Sequence, residues 1–164
     1  MAAKSNLNFF AALLIILLAA LLELRSGWVL NFSANFALAT LITLVFFLSF
    51  TELVALTVIA AWLLNWQPMI GWEIGVFMFI PILFFAIRRF PPWQIWLSNI
   101  MFIVFGISLF YLIVDYSFFA GQWAVFLKDV AISLGWGAAI FATLSGYYQF
   151  SFHPPSEIKN VFDL

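Results

Sequence analysis

The sequence feature that most constrains the fold is the apolar stretch from Asn35 to Asn65, which carries one charged residue, Glu52. A helix needs roughly 20 residues to cross the hydrocarbon core of a bilayer, which is about 30 Å thick. The stretch is therefore too long for one comfortable crossing and slightly short for two. We interpret it as two short helices, residues 34–49 and 51–65, joined by a tight bend between Ser49 and Glu52.

The composition predicts an integral membrane protein. Of the 164 residues, 66% are hydrophobic and 8% are charged, so a soluble fold would have no polar surface. The net charge of −1 gives no reason to expect nucleic-acid binding. The absence of cysteine excludes disulfides, thiol catalysis and cysteine-ligated metals.

The apolar segments predict a single all-α domain of six transmembrane helices over residues 1–150, because turns containing Trp, Pro and Gly separate them. The predicted ranges are 7–24, 34–49, 51–65, 73–87, 94–114 and 124–150, and a polar cytoplasmic tail follows over residues 151–164. Helices 2 and 3 are short. Residues 25–33 are expected to form a loop, and Pro81 is expected to break helix 4.

Charge placement predicts the sidedness, because short loops that carry Arg and Lys stay in the cytoplasm. Six crossings put four basic residues on one side of the membrane: Lys4, Arg88, Arg89 and Lys159. Two lie on the other side, Arg25 and Lys128. Each of these has an acidic neighbour, Glu23 or Asp129 respectively. We therefore expect both termini in the cytoplasm, with Glu52 at a cytoplasmic bend where its carboxylate reaches water.

Helix 6 carries a stripe of small residues. They recur at spacings of four, three, four and three, which places them on one helix face: Ala131, Gly135, Ala138, Ala142 and Ser145. In lipid, small residues let helix backbones approach closely, because packing drives the association of helices there. We interpret the stripe either as internal packing of the six-helix bundle or as a docking face for the transmembrane helix of a partner.

An ionisable residue inside a membrane is costly and is therefore a candidate functional residue. The candidates lie near predicted helix ends or at the bend: Glu52, Glu73, Asp115, Lys128 and Asp129. We interpret them as boundary residues that keep the helix termini in contact with water, and Lys128 and Asp129 can also pair. The paired Arg88 and Arg89 indicate a topology signal or a binding site for anionic lipid headgroups or a cytoplasmic partner.

The sequence contains no residue set that indicates catalysis, a cofactor or a metal. His153 has no second ligand nearby, and no Ser-His-Asp set, His pair at helical spacing or phosphate-binding glycine loop is visible. We therefore expect a non-catalytic protein.

Two local features indicate a family. Residues 31–36, Asn31-Phe32-Ser33-Ala34-Asn35-Phe36, lead into helix 2, and residues 67–71 form the turn after helix 3. With the total length and the six short-looped helices, these features resemble the rod shape-determining protein MreD family of bacterial inner membranes. The family typically has a proline where Ala34 stands, and an acidic residue late in helix 3 where this chain has Leu63-Leu64-Asn65.

The resemblance implies a multi-pass scaffold of the bacterial inner membrane, in the lipid bilayer and without catalytic residues. It implies binding to the membrane-anchored partner MreC in support of cell-wall elongation. The implied fold is a bundle similar to the substrate-binding S components of energy-coupling-factor vitamin transporters. On this interpretation the small-residue stripe of helix 6 is the docking face.

Two other functions are compatible with the sequence. An S-component-like transport subunit would bind a vitamin or a metal in an outer cavity whose candidate lining is Trp28, Trp66, Trp72, Glu73 and Trp123. A membrane enzyme acting on lipid would use Asp115 or Glu73 together with an arginine. A cavity on the outer side would favour the first alternative, and a pocket lined by convergent carboxylates would favour the second.

Overall fold

The computed structural model describes residues 9–29, 35–64, 71–88, 94–116 and 121–151, and these residues contain helices and no strand, which confirms the predicted all-α class. The helices are α1 (Phe9–Val29), α2 (Phe36–Leu44), α3 (Phe50–Leu64), α4 (Trp72–Ile87), α5 (Ile95–Val114) and α6 (Trp123–Ser151). Three of them, α1, α5 and α6, contain segments long and apolar enough to cross a membrane. This is the character of an integral membrane protein.

The helices differ from the predicted ones chiefly at the end of the first helix, at Pro81 and at the end of the second helix. The first helix continues to Val29, so Arg25 and Ser26 are helical rather than part of a loop. Helix α4 is continuous through Pro81, which is buried among neighbouring helices and therefore does not end the helix. Helix α2 ends at Leu44, five residues before its predicted end, because the backbone then tightens into turns in which Phe47 N–H bonds the Leu44 carbonyl.

The break between α2 and α3 covers residues 45–49, so it meets the predicted bend at Ser49 only, and Phe50 to Glu52 are already helical. The Glu52 carboxylate accepts hydrogen bonds from the Ser49 backbone N–H at 3.0 Å and from the Ser49 hydroxyl at 2.6 Å. The N–H of Leu53 bonds the Ser49 carbonyl at 3.0 Å as α3 begins. Ser49-Phe50-Thr51-Glu52 thus supplies the carboxylate half of a capping box, which starts a new helix at this point.

Helix α2 is the centre of the bundle. All of its residues from Ala37 to Leu44 are buried, and α2 packs against each of the other five helices. Its threonines Thr40 and Thr43 donate to the carbonyls four residues earlier, and the Thr40 hydroxyl also accepts the indole N–H of Trp136 of α6 at 2.9 Å. At nine residues α2 is only about 14 Å long. It is therefore a short helix enclosed by longer ones.

Two glycines let α5 and α6 approach α2 closely. A Cβ atom at Gly106 of α5 would overlap Ile42 of α2 and would come within 2.9 Å of Phe84. A Cβ atom at Gly137 of α6 would overlap Ile103 and would come within 3.1 Å of the Thr43 hydroxyl. Small residues at these points replace side-chain contacts by backbone packing, as is typical of helices in lipid.

Successive helices run in opposite directions, which gives the bundle two distinct ends. At the first end the start of α2 meets the last part of α1 and the first part of α6 through Glu23 and Asp129. At the second end Arg88, which follows α4, contacts the residues after α2, and Phe50 packs against Phe85. We call these the acidic end and the Arg88 end.

The two glycines of α6 at positions 135 and 137 make a matched pair for testing the close packing. Gly137→Val is expected to lower the free energy of unfolding by about 1–3 kcal/mol, because the added side chain overpacks the contacts with Ile103 of α5 and Thr43 of α2. Gly135→Val makes the same change in helix propensity at a position where a Cβ atom has no neighbour within 4 Å. Unfolding of both variants in detergent micelles measures the difference. Equal losses would contradict the packing described.

Candidate functional site at the two ends of the buried helix

The acidic end is organised around the carboxylate of Asp129, in the second turn of α6. Asp129 is 1% exposed. Its Oδ1 accepts the backbone N–H of Asn35 and the hydroxyl of Ser133, each at 3.1 Å. Its Oδ2 accepts the Asn35 amide at 2.9 Å and the hydroxyl of Tyr111. Every hydrogen bond in this set directs a donor toward the carboxylate, which compensates its burial.

Asn35 connects this cluster to the start of α2. It precedes the first helical residue, and its own side chain makes no capping bond to the helix. The side-chain amide instead donates to Asp129 and to the hydroxyl oxygen of Tyr111, the latter at 3.0 Å. The carboxylate of Asp129 therefore takes the place of a local cap, and it also places negative charge at the positive end of the helix dipole.

A second carboxylate reaches the same helix start from α1. Glu23 Oε2 accepts the backbone N–H of Ala37 at 2.9 Å. The first turn of a helix has N–H groups without a partner inside the helix, and water is not available to them inside an apolar bundle. Glu23 and Asp129 together satisfy two such groups, at Ala37 and Asn35. The start of α2 is fixed by two other helices.

A small cavity lies beside this helix start. Glu23, Asn35 and Glu73 supply its polar lining, and its apolar lining includes Ala61, Leu64 and Phe77. We call it the acidic cavity. Its volume of about 120 Å³ is well below the roughly 300–1,000 Å³ of cavities that hold drug-sized ligands. It has room for a few water molecules or a small ion.

The acidic cavity brings two carboxylates together, but it does not assemble the predicted enzyme site. None of the described residues that line it is an arginine, and Arg88 lies at the opposite end of the bundle. Asp115 follows the last residue of α5, where its backbone N–H bonds the Tyr111 carbonyl. In the part of the chain that the structure describes, His, Asp and Glu side chains form no group of three that could hold a metal ion.

The other end of α2 is held by a cation. The guanidinium of Arg88 donates to the carbonyl of Val45 and, at 3.3 Å, to the carbonyl of Leu48. It also lies over the ring of Phe85, 3.8 Å from the centroid. Carbonyls at the end of a helix lack partners inside it and carry partial negative charge, so a cation suits this position. Arg88 therefore has a structural partner in addition to its predicted role as a topology signal.

The stripe predicted from the spacing of small residues in α6 faces away from the bundle. Ala131, Gly135 and Ala142 are exposed, and Ala138 and Ser145 are half-buried. A Cβ atom at Gly135 or at Gly146 would meet nothing within 4 Å among the described residues. The opposite face of α6, with Ser133 and Gly137, packs against α2. Packing within the bundle therefore covers the stripe in part at Ala138 and Ser145 and leaves Ala131, Gly135 and Ala142 exposed.

Of the three predicted outer-cavity residues whose side chains the structure describes, one lines the acidic cavity. Glu73 lines the acidic cavity, whereas Trp72 and Trp123 are exposed and do not line it. Trp66 and Arg89 lie outside the described residues, as does the side chain of Trp28. The predicted tail also lies outside them, apart from Ser151.

Sequence reasoning missed the roles of Glu23, Asn35, Tyr111 and Asp129. It treated Asp129 as a boundary residue in contact with water, and this is wrong because the side chain is buried. One signal was available. Asp129 and Ser133 are four residues apart in a helix long enough to cross a membrane, which puts two polar side chains on one face. A face with two polar side chains inside a membrane-crossing helix requires polar partners, because water is not available there.

Replacing Asp129 tests the cap at the start of α2. Asp129→Ala leaves the buried donors of Asn35, Tyr111 and Ser133 without their acceptor, so we expect the free energy of unfolding to fall by at least about 3 kcal/mol. Asp129→Asn keeps one acceptor oxygen and is expected to lose less. Unfolding in detergent, followed by circular dichroism, measures both variants. An alanine variant as stable as the parent protein would contradict the role assigned to Asp129.

Replacing Arg88 tests the other end. Arg88→Met removes the donors to the carbonyls of Val45 and Leu48, and the expected loss is about 1–3 kcal/mol of unfolding free energy. Arg25→Met removes the same charge from an exposed position in α1 and is the matched control. Arg88→Lys should restore little, because an ammonium lacks the planar fork of a guanidinium. The same unfolding assay distinguishes the three variants, and equal stability of all three would exclude the proposed contact.

Comparison of the chain with protein-family models, with curated proteins and with solved structures finds no match.

Proposed function

We propose that the protein is a non-catalytic, multi-pass membrane scaffold that binds the transmembrane helix of a partner protein. The observation that carries the proposal is the exposed small-residue stripe of α6. Its centre, Gly135, lies two positions before Gly137, which is already packed against α2. Helix α6 thus has two faces suited to close helix contact, and only one of them has a neighbour among the described residues. A partner helix on the other face supplies the packing that small residues favour.

The proposed topology has six crossings, with both termini in the cytoplasm of a bacterial inner membrane. Its support is the alternating direction of the six helices together with the predicted charge bias of the loops. The faces of the shorter helices agree with lipid contact, because Trp62 of α3 is 77% exposed and Phe79 of α4 is 55% exposed. Helix α2 does not need the length of a full crossing, since other helices rather than lipid surround it.

The proposed biological setting is MreD-like, with an MreC-like membrane-anchored partner in cell-wall elongation. This part of the proposal rests on the sequence resemblance. The rigid placement of α2 agrees with a scaffold, because a protein that presents a fixed helix face benefits from a central helix fixed at both ends.

A transport subunit is the second candidate, and the acidic cavity is the observation that favours it. Glu73, one of the residues predicted for such a site, lines this cavity together with Glu23. The volume of about 120 Å³ is too small for a vitamin. A transport function would therefore concern a small ion rather than the larger ligands of the S components.

Photocrosslinking in native membranes tests the docking face. A photoreactive residue at Gly135 or Ala138 is expected to capture a single-pass membrane protein of the MreC type, identified by mass spectrometry. The same residue at Val58, on the exposed face of α3, is the control position and is expected to capture lipid only. Gly135→Leu fills the stripe without meeting a described neighbour, so it should abolish capture from Ala138 and leave thermal stability unchanged. Capture of lipid alone from all three positions would contradict the scaffold proposal.

A further inference from the structure

A groove lies at the Arg88 end, between the start of α5 and the last third of α6. Its volume is about 580 Å³, within the range of sites that bind small organic molecules. Aromatic rings make most of its lining: Phe46, Phe47, Trp96 and Phe141. The rings of Phe46 and Phe47 lie 6.3 Å and 5.4 Å from that of Phe141, so the turn after α2 forms the floor of the groove and α6 forms one wall.

The groove is continuous with the surface that faces lipid. Ile95 and Trp96 form its other wall at the start of α5, and their side chains are 62% and 52% exposed. Both α5 and α6 are of membrane-crossing length. A groove between two such helices opens toward the hydrocarbon of the bilayer, so the acyl chains of lipids have access to it.

The depth of the groove places it at the boundary with the headgroups. Gln94 immediately precedes α5, and it lines the groove together with Ser145. Ser145 lies 22 positions after Trp123, the first residue of α6. This corresponds to a rise of about 33 Å along the helix, which exceeds the thickness of the hydrocarbon core, so Ser145 lies near the headgroups. The indole N–H of Trp96 donates to the Gln94 side chain. An indole held in this way at the rim suits the membrane–water interface.

Positive charge lies beside the floor of the groove. Arg88 donates to the carbonyls of Val45 and Leu48, which flank Phe46 and Phe47 on either side. These features match an anionic phospholipid. The apolar groove suits an acyl chain, the polar rim suits the ester and headgroup region, and the nearby guanidinium suits the negative charge of the headgroup. A partner helix would not fit as well, because the groove is confined to one end of α5 and α6.

We propose that this groove binds one acyl chain of an anionic phospholipid, with the headgroup at the Gln94 rim on the side of Arg88. The site is separate from the centre of the docking stripe at Gly135. Only Ser145 belongs to both, and the variants below separate the two. The bound lipid covers the exposed parts of the aromatic rings that line the groove beside the turn between α2 and α3, which the bundle buries only in part.

Labelling with photoreactive lipids tests this site. The full-length protein is placed in phosphatidylcholine vesicles that contain a minor fraction of phosphatidylglycerol carrying a diazirine in its acyl chain. After illumination, mass spectrometry is expected to find several-fold more label at Phe46, Trp96 and Phe141 than at Val58 and Phe79, which face lipid elsewhere. Label distributed evenly over all five positions would overturn the proposal, since it indicates only general lipid contact. This experiment uses the protein without substitutions, so its outcome does not depend on whether a variant folds.

Two matched variants locate the bound chain. Ser145→Phe fills the groove and should reduce its label to the level of Val58. Ala142→Phe puts the same side chain on the exposed stripe, one turn earlier and outside the groove, and should leave the label in place. Unchanged groove label in the Ser145 variant would overturn the assignment. Equal labelling of the groove by a phosphatidylcholine that carries the same diazirine would overturn the proposed preference for an anionic headgroup. Protection of the groove from label by a bound protein in native membranes would overturn the proposal that lipid occupies it.

Discussion

The rest of the structure depends on satisfying the ends of a short helix that has no access to bulk water. Helix α2 is buried along its length, so the N–H groups at its start and the carbonyls at its end need partners from elsewhere in the chain. Asp129 and Glu23 serve the start, and Arg88 serves the end. The signs of these charges match the helix dipole at both ends. Three helices, α1, α4 and α6, are thereby joined through a fourth, α2.

This constraint explains why charged residues are present in so apolar a chain. A charge in a membrane protein is costly unless it is paired or hydrogen-bonded, and these three side chains each bind backbone groups that would otherwise be unsatisfied. The hydrogen bonds to these backbone groups thus offset the cost of placing each charge inside the membrane. The same arrangement leaves α6 with one face fixed against α2 and one face available, which is the basis of the proposed docking function.

Sequence reasoning identified the features whose causes are local. The division of the apolar stretch at Ser49–Glu52 follows from one carboxylate and a nearby serine, and both act within four residues. The stripe of small residues in α6 was likewise visible from its spacing. The direction in which the stripe faces was not, because Gly135 and Gly137 are the same residue type in the same helix. Only the position of α2 distinguishes them.

The sequence by itself determined that this chain is helical, apolar enough for a membrane and interrupted at Ser49, because composition, periodicity and capping depend on neighbouring residues. The tertiary structure alone decided which helix is central and which charges hold it. Asp129 meets Asn35 across 94 positions in the chain, and Arg88 meets Val45 across 43. No local pattern encodes such pairs, since they form only after the helices have packed.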